Sequence, residues 1–405
     1  MQSVVKSALA AAVALCVGAG AASAQITDGV IKIGVMNDQS GLYADVSGPG
    51  GVWAAKKAVE DFCKTTKCEK IEVIFADHQN KPDVGSNIAR QWYDVDKVDA
   101  IVDVPTSSVA LAINTITKEK NKVFLNSGAA SSDLTGKACS PNTIHWTYDT
   151  WALANGTGNA IVKTGGDTWF FLTADYAFGH ALERDTAAVV EKSGGKVLGA
   201  VRTPFPGQDF SSYLLQAQSS KAKIIGLANA GGDTINSIKQ ASEFGIVQGG
   251  QNLAGLLVFV TDVHALGLKI AQGLIFTGAW YWDANDNNRA FAKEFAAANK
   301  GNMPTMVQAG IYSAVIHYLK AVHEMKADGD GAAVIAKMKS MPTDDKLFGK
   351  GSIRQDGRKV HDMYLFEVKK PEESKYPWDY LKVRATIPAA EAFRPLKDGG
   401  CPLVK

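Results

Sequence analysis

The chain has 405 residues, 46% of them hydrophobic and 21% charged, the composition of a folded protein too long for one ordinary core, so two domains are expected. Its 43 basic and 41 acidic residues leave a net charge of +2. No run of like charges stands out, which speaks against a nucleic-acid partner and against attachment to a membrane surface.

The first 24 residues read as a secretory signal. Lys6 supplies the positive start, Ala8 to Val17 is an apolar run too short to span a bilayer, and Ala22-Ser23-Ala24 is an A-x-A cleavage site that would start the mature chain at Gln25. Cys16 hints at lipidation, but Leu15 before it is the wrong size for a lipoprotein site. No later stretch reaches the length of a membrane span, so a soluble protein outside the cytoplasm, with no direct membrane insertion, is expected.

Strand and helix patterns then alternate. Ile31 to Met36 is a buried-strand run, and Gly48-Pro49 opens a helix carrying Val52, Ala55, Val59 and Phe62 at helical spacing. Ile71 to Ala76 is a second strand, followed by a helix whose face holds Val84, Ile88, Trp92 and Val95. "AIVDV" from Ala100 and "VFLN" from Val123 supply two further strands, with a helix from Ser107 between them. This rhythm implies a parallel sheet covered by helices on both faces.

After "IHWTYDTWALANG" the rhythm restarts, with strands expected at "TWFFLT", "KVLGAV", "KIIGLA", "LLVFV" (Leu256 to Val260) and "GLIFTG". A long helix is expected from about Thr305 to Lys326 and a shorter one near Ala332 to Lys339, and "GSIRQDGRKV" with "MYLFEV" reads as a hairpin. The fold class is therefore α/β, with two doubly wound lobes. No low-complexity linker separates them, which suggests several short connections and a hinge.

Removing Cys16 leaves Cys63, Cys68, Cys139 and Cys401. An even number in an oxidising compartment favours two disulfides among three possible pairings. Cys63 and Cys68, close together at a helix end, are expected to bond to each other, and Cys139 with Cys401 would then tie the tail to the body. Metal binding is the weaker reading, because no C-x-x-C is present.

Signatures of catalysis are missing. The Gly-Lys pairs at Gly136, Gly195 and Gly349 lack the hydroxyl residue of a phosphate-binding loop, and "GTGNAI" at Gly156 fails G-x-G-x-x-G at its last position. Neither G-x-S-x-G nor H-E-x-x-H occurs, and His317 and His323 face different sides of one helix. The expectation is a binding protein without cofactor or metal, rather than an enzyme.

What the sequence does offer is strand ends suited to a ligand. In "DVPTSSVALAI" the hydroxyls of Thr106, Ser107 and Ser108 open a helix whose unpaired N–H groups suit a carboxylate, although a plain N-cap reads the same way. "NSGAASSDLT" follows the next strand, Tyr43 lies in the first loop, and "TADYAFG" brings Tyr176 and Phe178. "NAGGD", "VTDVHA" with Asp262, and "GAWYWD" with Trp280 follow later strands. Together they would line a cleft with hydroxyls on one lobe and aromatic rings on the other.

These segments resemble the periplasmic substrate-binding proteins of ABC importers, of the branched-chain amino acid (Leu/Ile/Val-binding-protein-like) type. The likeness rests on "IKIGVMNDQSGLYADVSGPGGVWAAKKAVEDF", "DHQNKPDVGSNIARQW", "VPTSS", "FLNSGAASSDLTG", "FLTADYAFGHAL", "ANAGGDTINSIKQASEFG" and "GSIRQDGR". It implies a type I periplasmic binding fold, two lobes joined by a three-strand hinge: residues 25–148 with about 283–346, and 149–282 with about 347–405.

It also implies a periplasmic location, a small-molecule ligand in the interlobe cleft and an inner-membrane permease as partner. Ser107 would hold the ligand carboxylate, assisted by Gly128, Ala129, Ala130 and Ser131. Tyr43 and either Tyr176 or Phe178 would close over the ligand. The family's amino-acid binders place a threonine where Ala130 stands here and use an acidic residue of the second lobe, for which Asp262 is the candidate. With few partners for an ammonium, an apolar or aromatic organic acid is favoured over a branched-chain or other hydrophobic amino acid. A sensor presenting the ligand to a membrane receptor is the other role the resemblance admits.

Overall fold

A computed structural model describes residues 25–405. The expected signal, residues 1–24, lies outside the described residues.

The first lobe is a parallel sheet in the order β2-β1-β3-β4-β5, built from β1 (Val30–Asn37), β2 (Lys70–Asp77), β3 (Ala100–Asp103), β4 (Val123–Asn126) and β5 (Thr143–His145). Three helices connect the first four strands: α1 (Gly48–Thr65), α2 (Pro82–Asp94) and α3 (Ser107–Glu119). β1, β3 and β4 are buried along nearly their whole length, as expected of apolar runs covered on both faces. β5 escaped the sequence reading because its three residues, Thr-Ile-His, carry no strand-like run.

The second lobe begins with α4 (Thr150–Lys163). Its parallel sheet has the order β7-β6-β8-β9, from β6 (Thr168–Ala174), β7 (Lys196–Thr203), β8 (Ile224–Ala228) and β9 (Asn252–Gly255). Between and after these strands run α5 (Ala177–Lys192), α6 (Ser211–Ser219), α7 (Gly232–Glu243), α8 (Val260–Leu266) and α9 (Leu268–Ala271). The apolar run Leu256–Val260 is not the strand it resembles. The strand is the four residues before it, and Leu256 to Phe259 form the segment leading into α8.

β10 (Ile275–Gly278) leads out of this lobe to α10 (Asp286–Ala298) and α11 (Met306–Met325), both packed on α1 of the first lobe. α12 (Gly331–Ser340) then precedes a small antiparallel sheet of β11 (Thr343–Asp345), β12 (Gly349–Ile353) and β13 (Lys359–Val360). "GSIRQDGRKV" is thus a hairpin by itself. β14 (Met363–Val368) instead pairs with β10 and with β15 (Leu381–Ile387). The expected lobe boundary near residue 346 cuts through the small sheet.

The chain therefore passes between lobes near Trp146–Asp149, Ala279–Asn285 and His361–Asp362. The passes are tied together. The Arg358 guanidinium donates to the Tyr148 carbonyl at 2.9 Å, and His361 Nε2 lies 2.8 Å from the Thr147 carbonyl. Cys63–Cys68 and Cys139–Cys401 are both bonded, with Cα separations of 5.4 and 5.6 Å. No helix among the described residues is long and apolar enough to cross a membrane.

Candidate functional site

The C-terminal ends of β1, β3 and β4 face those of β6 and β8 across a narrow cleft whose cavity volume is only about 10 Å³. Tyr43, Pro105, Gly128 and Ala130 form the wall from the first lobe. Tyr176, Phe178, Ala230, Leu257 and Phe259 form the wall from the second, and Tyr148 comes from the first crossing.

The first-lobe wall is held by its backbone. Asp103 and Val104 both have positive φ, 82° and 58°, a conformation strained for non-glycine residues and most of all for a β-branched one. It carries the chain from β3 into Pro105, which lines the cavity just before α3 begins. In the next loop the Asn126 side chain donates to the Ala129 carbonyl (2.8 Å) and accepts from the Ala129 N–H (3.0 Å). The Tyr148 hydroxyl donates to the Gly128 carbonyl at 2.7 Å. Only glycine fits there: an added Cβ at Gly128 would lie 2.7 Å from both Asp103 Oδ1 and the Pro105 Cα.

The start of α3 is open. Thr106 occupies the N-cap position, yet its hydroxyl makes no capping bond and donates instead to Asn80 Oδ1. The Ser107 hydroxyl oxygen accepts the Ser131 N–H at 3.2 Å and still has its own hydrogen to give. The plain N-cap reading of these hydroxyls therefore fails, and the first N–H groups of a 13-residue helix remain without a side-chain partner.

The opposite wall is aromatic. Tyr176 stacks on Phe205 with centroids 3.9 Å apart and lies 5.8 Å from Phe178. At the lip its hydroxyl is 2.6 Å from the hydroxyl of Tyr43 in the other lobe. Gly231, with φ 56°, allows this approach: an added Cβ would lie 3.0 Å from the Leu42 carbonyl oxygen and from the Tyr43 ring. Beside the hydroxyl pair sits Asp233, 1% exposed. Its Oδ1 accepts from the Gly207 N–H at 3.0 Å while Oδ2 has no partner. Burial raises its carboxyl to about 7.

Of the residues singled out from the sequence, Tyr43, Gly128, Ala130, Tyr176 and Phe178 come together around the cavity. Ser107, Ala129 and Ser131 stand one layer behind the wall, and Ser108 is half-buried on the first turn of α3. Three more, Thr106, Asp262 and Trp280, are not among the residues lining the cavity. Thr106 is engaged by Asn80. Asp262 is turned into its own helix, its Oδ2 accepting the Phe259 N–H at 2.9 Å to cap α8. Trp280 packs edge-on against Phe291 and lines other cavities.

Tyr148, Leu257, Phe259 and Asp233 were missed. Tyr148 and Phe259 look like core aromatics in sequence, Leu257 lay inside a supposed strand, and only Asp233 had a signal, as the last residue of "NAGGD". Among the described residues no group of side chains could hold a metal ion.

Two α/β lobes closed over a largely apolar cavity, with an open helix N-terminus on one side, define a protein built to enclose a small ligand. A family profile described as periplasmic binding protein matches residues 30–375. The chain belongs to that family, whose members are periplasmic.

A periplasmic binding protein from Burkholderia mallei is 53% identical, covering 94% of this chain and all of that one, with a TM-score of 0.91. A branched chain amino acid ABC transporter periplasmic ligand-binding protein from Burkholderia xenovorans is 40% identical over 93% of this chain and all of that one, with a TM-score of 0.81. "Leu/Ile/Val-binding protein homolog 6" of Brucella melitensis is 25% identical over 374 residues, 90% of this chain and 93% of its own length. The fold is that of the type I periplasmic binding proteins.

Proposed function

We propose that this chain is the solute-binding receptor of an ABC import system, exported by its first 24 residues, which captures a small monocarboxylate with an apolar or aromatic body and delivers it to an inner-membrane permease. The observation carrying this reading is the uncapped start of α3 beside a cavity whose other walls are rings and aliphatic groups. The N–H groups of Ser107 and Ser108, with the Ser107 hydroxyl, would take the carboxylate, where the helix dipole favours negative charge. Tyr148, Tyr176, Phe178 and Phe259 would enclose the body. The cleft as it stands has room for about one water, so the lobes must part to admit a ligand. The ABC transporter named for the Burkholderia xenovorans relative supports the transport role.

A thermal-shift panel of aliphatic, aromatic and amino acids tests the reading, because a true ligand stabilises the folded chain by mass action. An organic acid should raise the melting temperature most, and Ser107→Ala should weaken its binding at least fivefold, on the order of one lost charge-assisted hydrogen bond. Unchanged affinity within twofold would remove Ser107 as the anchor.

One observation favours a second reading, a hydrophobic amino acid: Asp233, close to both tyrosines but outside the cavity lining, would face an ammonium group only once the lobes part. If leucine or phenylalanine is the best ligand and Asp233→Asn abolishes its binding, the organic-acid reading is replaced by this one.

A further inference from the structure

The first-lobe turn from Ala130 to Asp133 is held from the second lobe. Asp185 of α5 is 5% exposed. Its Oδ2 accepts the hydroxyls of Ser132 and Thr150, each at 2.6 Å. Its Oδ1 accepts from the Arg184 guanidinium, with Nε at 3.0 Å and Nη2 at 2.9 Å. Arg184 also reaches the turn itself: Nη2 donates to Ser132 Oγ at 2.9 Å, and Nη1 pairs with Asp133 Oδ1 at 3.1 Å. Thr150, at the start of α4, gives its N–H to the Ala130 carbonyl at 2.8 Å, and its Oγ1 accepts the Ser132 N–H at 3.0 Å.

Both oxygens of the Asp185 carboxylate are thus satisfied, and its charge is answered by Arg184. A buried polar network with every member paired fixes one arrangement of the segment it holds. That segment bears on the site at two points. Ala130 lines the cleft. Ser131 donates its N–H to Ser107 Oγ at 3.2 Å. The second bond occupies an acceptor position of the Ser107 oxygen, so the hydroxyl hydrogen is the group it has left to give. Arg184 and Asp185 are not themselves among the residues lining the cleft.

We propose that Arg184 and Asp185 are positioning residues for the carboxylate anchor: the second lobe fixes the turn, and the turn, through the Ser131 N–H, orients the Ser107 hydroxyl. The inference rests on Ser107 holding the carboxylate. It makes the anchor a property of both lobes, although the side chain that touches the ligand belongs to one. It also sets the sign of an effect. Asp185 is an anion, so removing it would by charge alone favour an anionic ligand. Losing the orientation of Ser107 acts in the opposite direction.

The test is a double-mutant cycle on the mature chain, titrated calorimetrically with benzoate and with 4-methylpentanoate. Asp185→Ala should weaken the better-binding acid roughly fivefold or more, against the direction of charge. Combined with Ser107→Ala it should add less than about twofold to the loss that Ser107→Ala gives alone, because the turn then has no hydroxyl to orient. A merely structural role would make the two losses additive. Should Asp185→Ala not fold, Arg184→Met, at a half-exposed side chain, runs the same cycle. Affinity unchanged or tightened by the α5 variant, or additive losses in the double variant, would overturn the inference while the anchor stands. If Ser107→Ala alone leaves affinity unchanged, or neither acid binds, the anchor reading fails and this inference with it.

Discussion

The hydroxyl pair of Tyr43 and Tyr176 gives the closure account its sharpest consequence. The two oxygens lie 2.6 Å apart across the lip, between residues that are 4% exposed in one lobe and half-buried in the other. Tyr43→Phe keeps its ring packed near Phe205, and Tyr176→Phe keeps the 3.9 Å stack on the same residue. Either change removes one hydrogen bond and strands the other hydroxyl in the closed form, whereas the open form lets water reach it. The closed state should lose about 1–3 kcal/mol relative to the open one. Affinity limited by closure should then fall by about 5- to 150-fold. Removing both hydroxyls leaves no stranded group, so the double variant should bind better than the sum of the two losses implies. Isothermal titration of all four proteins with the acid giving the largest thermal shift reads these differences. Affinities within twofold of the parent in both single variants, or strictly additive losses in the double, would refute the closure latch.

Further outcomes follow from the packing. Burial raises the carboxyls of Asp103, Asp233 and Asp262 to about 7 each, so the folded chain holds protons that the unfolded chain releases near 4. Stability from these groups is therefore lost as pH rises from about 4 through 7. Asp103→Asn should flatten the fall in melting temperature between those values, and an identical profile would contradict the burial argument. Gly128→Ala should leave a folded protein with affinity lowered more than tenfold, because its Cβ would meet Asp103 Oδ1 and the Pro105 Cα at 2.7 Å and a main-chain atom cannot yield locally; parent-like affinity on titration would count against it. Replacing Cys139 and Cys401 by serine removes a crosslink spanning 262 residues. It should lower the melting temperature by ~3–5 °C, from ~2–4 kcal/mol of crosslink stabilisation, and calorimetry showing no change would mean the tail is held without it.

Much of the architecture was legible because it is written in local periodicity. β1 and α1 announce themselves by a buried run and by Val52, Ala55, Val59 and Phe62, whatever the rest of the chain does. Pairing between distant segments has no such signature. β14 joins β10, far earlier in the chain, and nothing in "MYLFEV" distinguishes that partner from the neighbouring hairpin. Leu256 to Phe259 misled for a related reason. An apolar run reads as a buried strand, while here Leu257 and Phe259 are needed to line the cleft. At the site, strand-end loops were visible as short, glycine- and hydroxyl-rich stretches. Which side chains turn inward was not: Thr106 turns to Asn80, Asp262 to its own helix, and Tyr148 reaches the cavity from a crossing that sequence marks only as aromatic.

A crystal structure with the best-binding carboxylate tests the central claim most directly. The account places the carboxylate about 2.7–3.2 Å from the N–H groups of Ser107 and Ser108, with the body of the ligand between Tyr148, Tyr176 and Phe259. A ligand lying outside the interlobe cleft, or one whose carboxylate points into the second lobe away from α3, would contradict it.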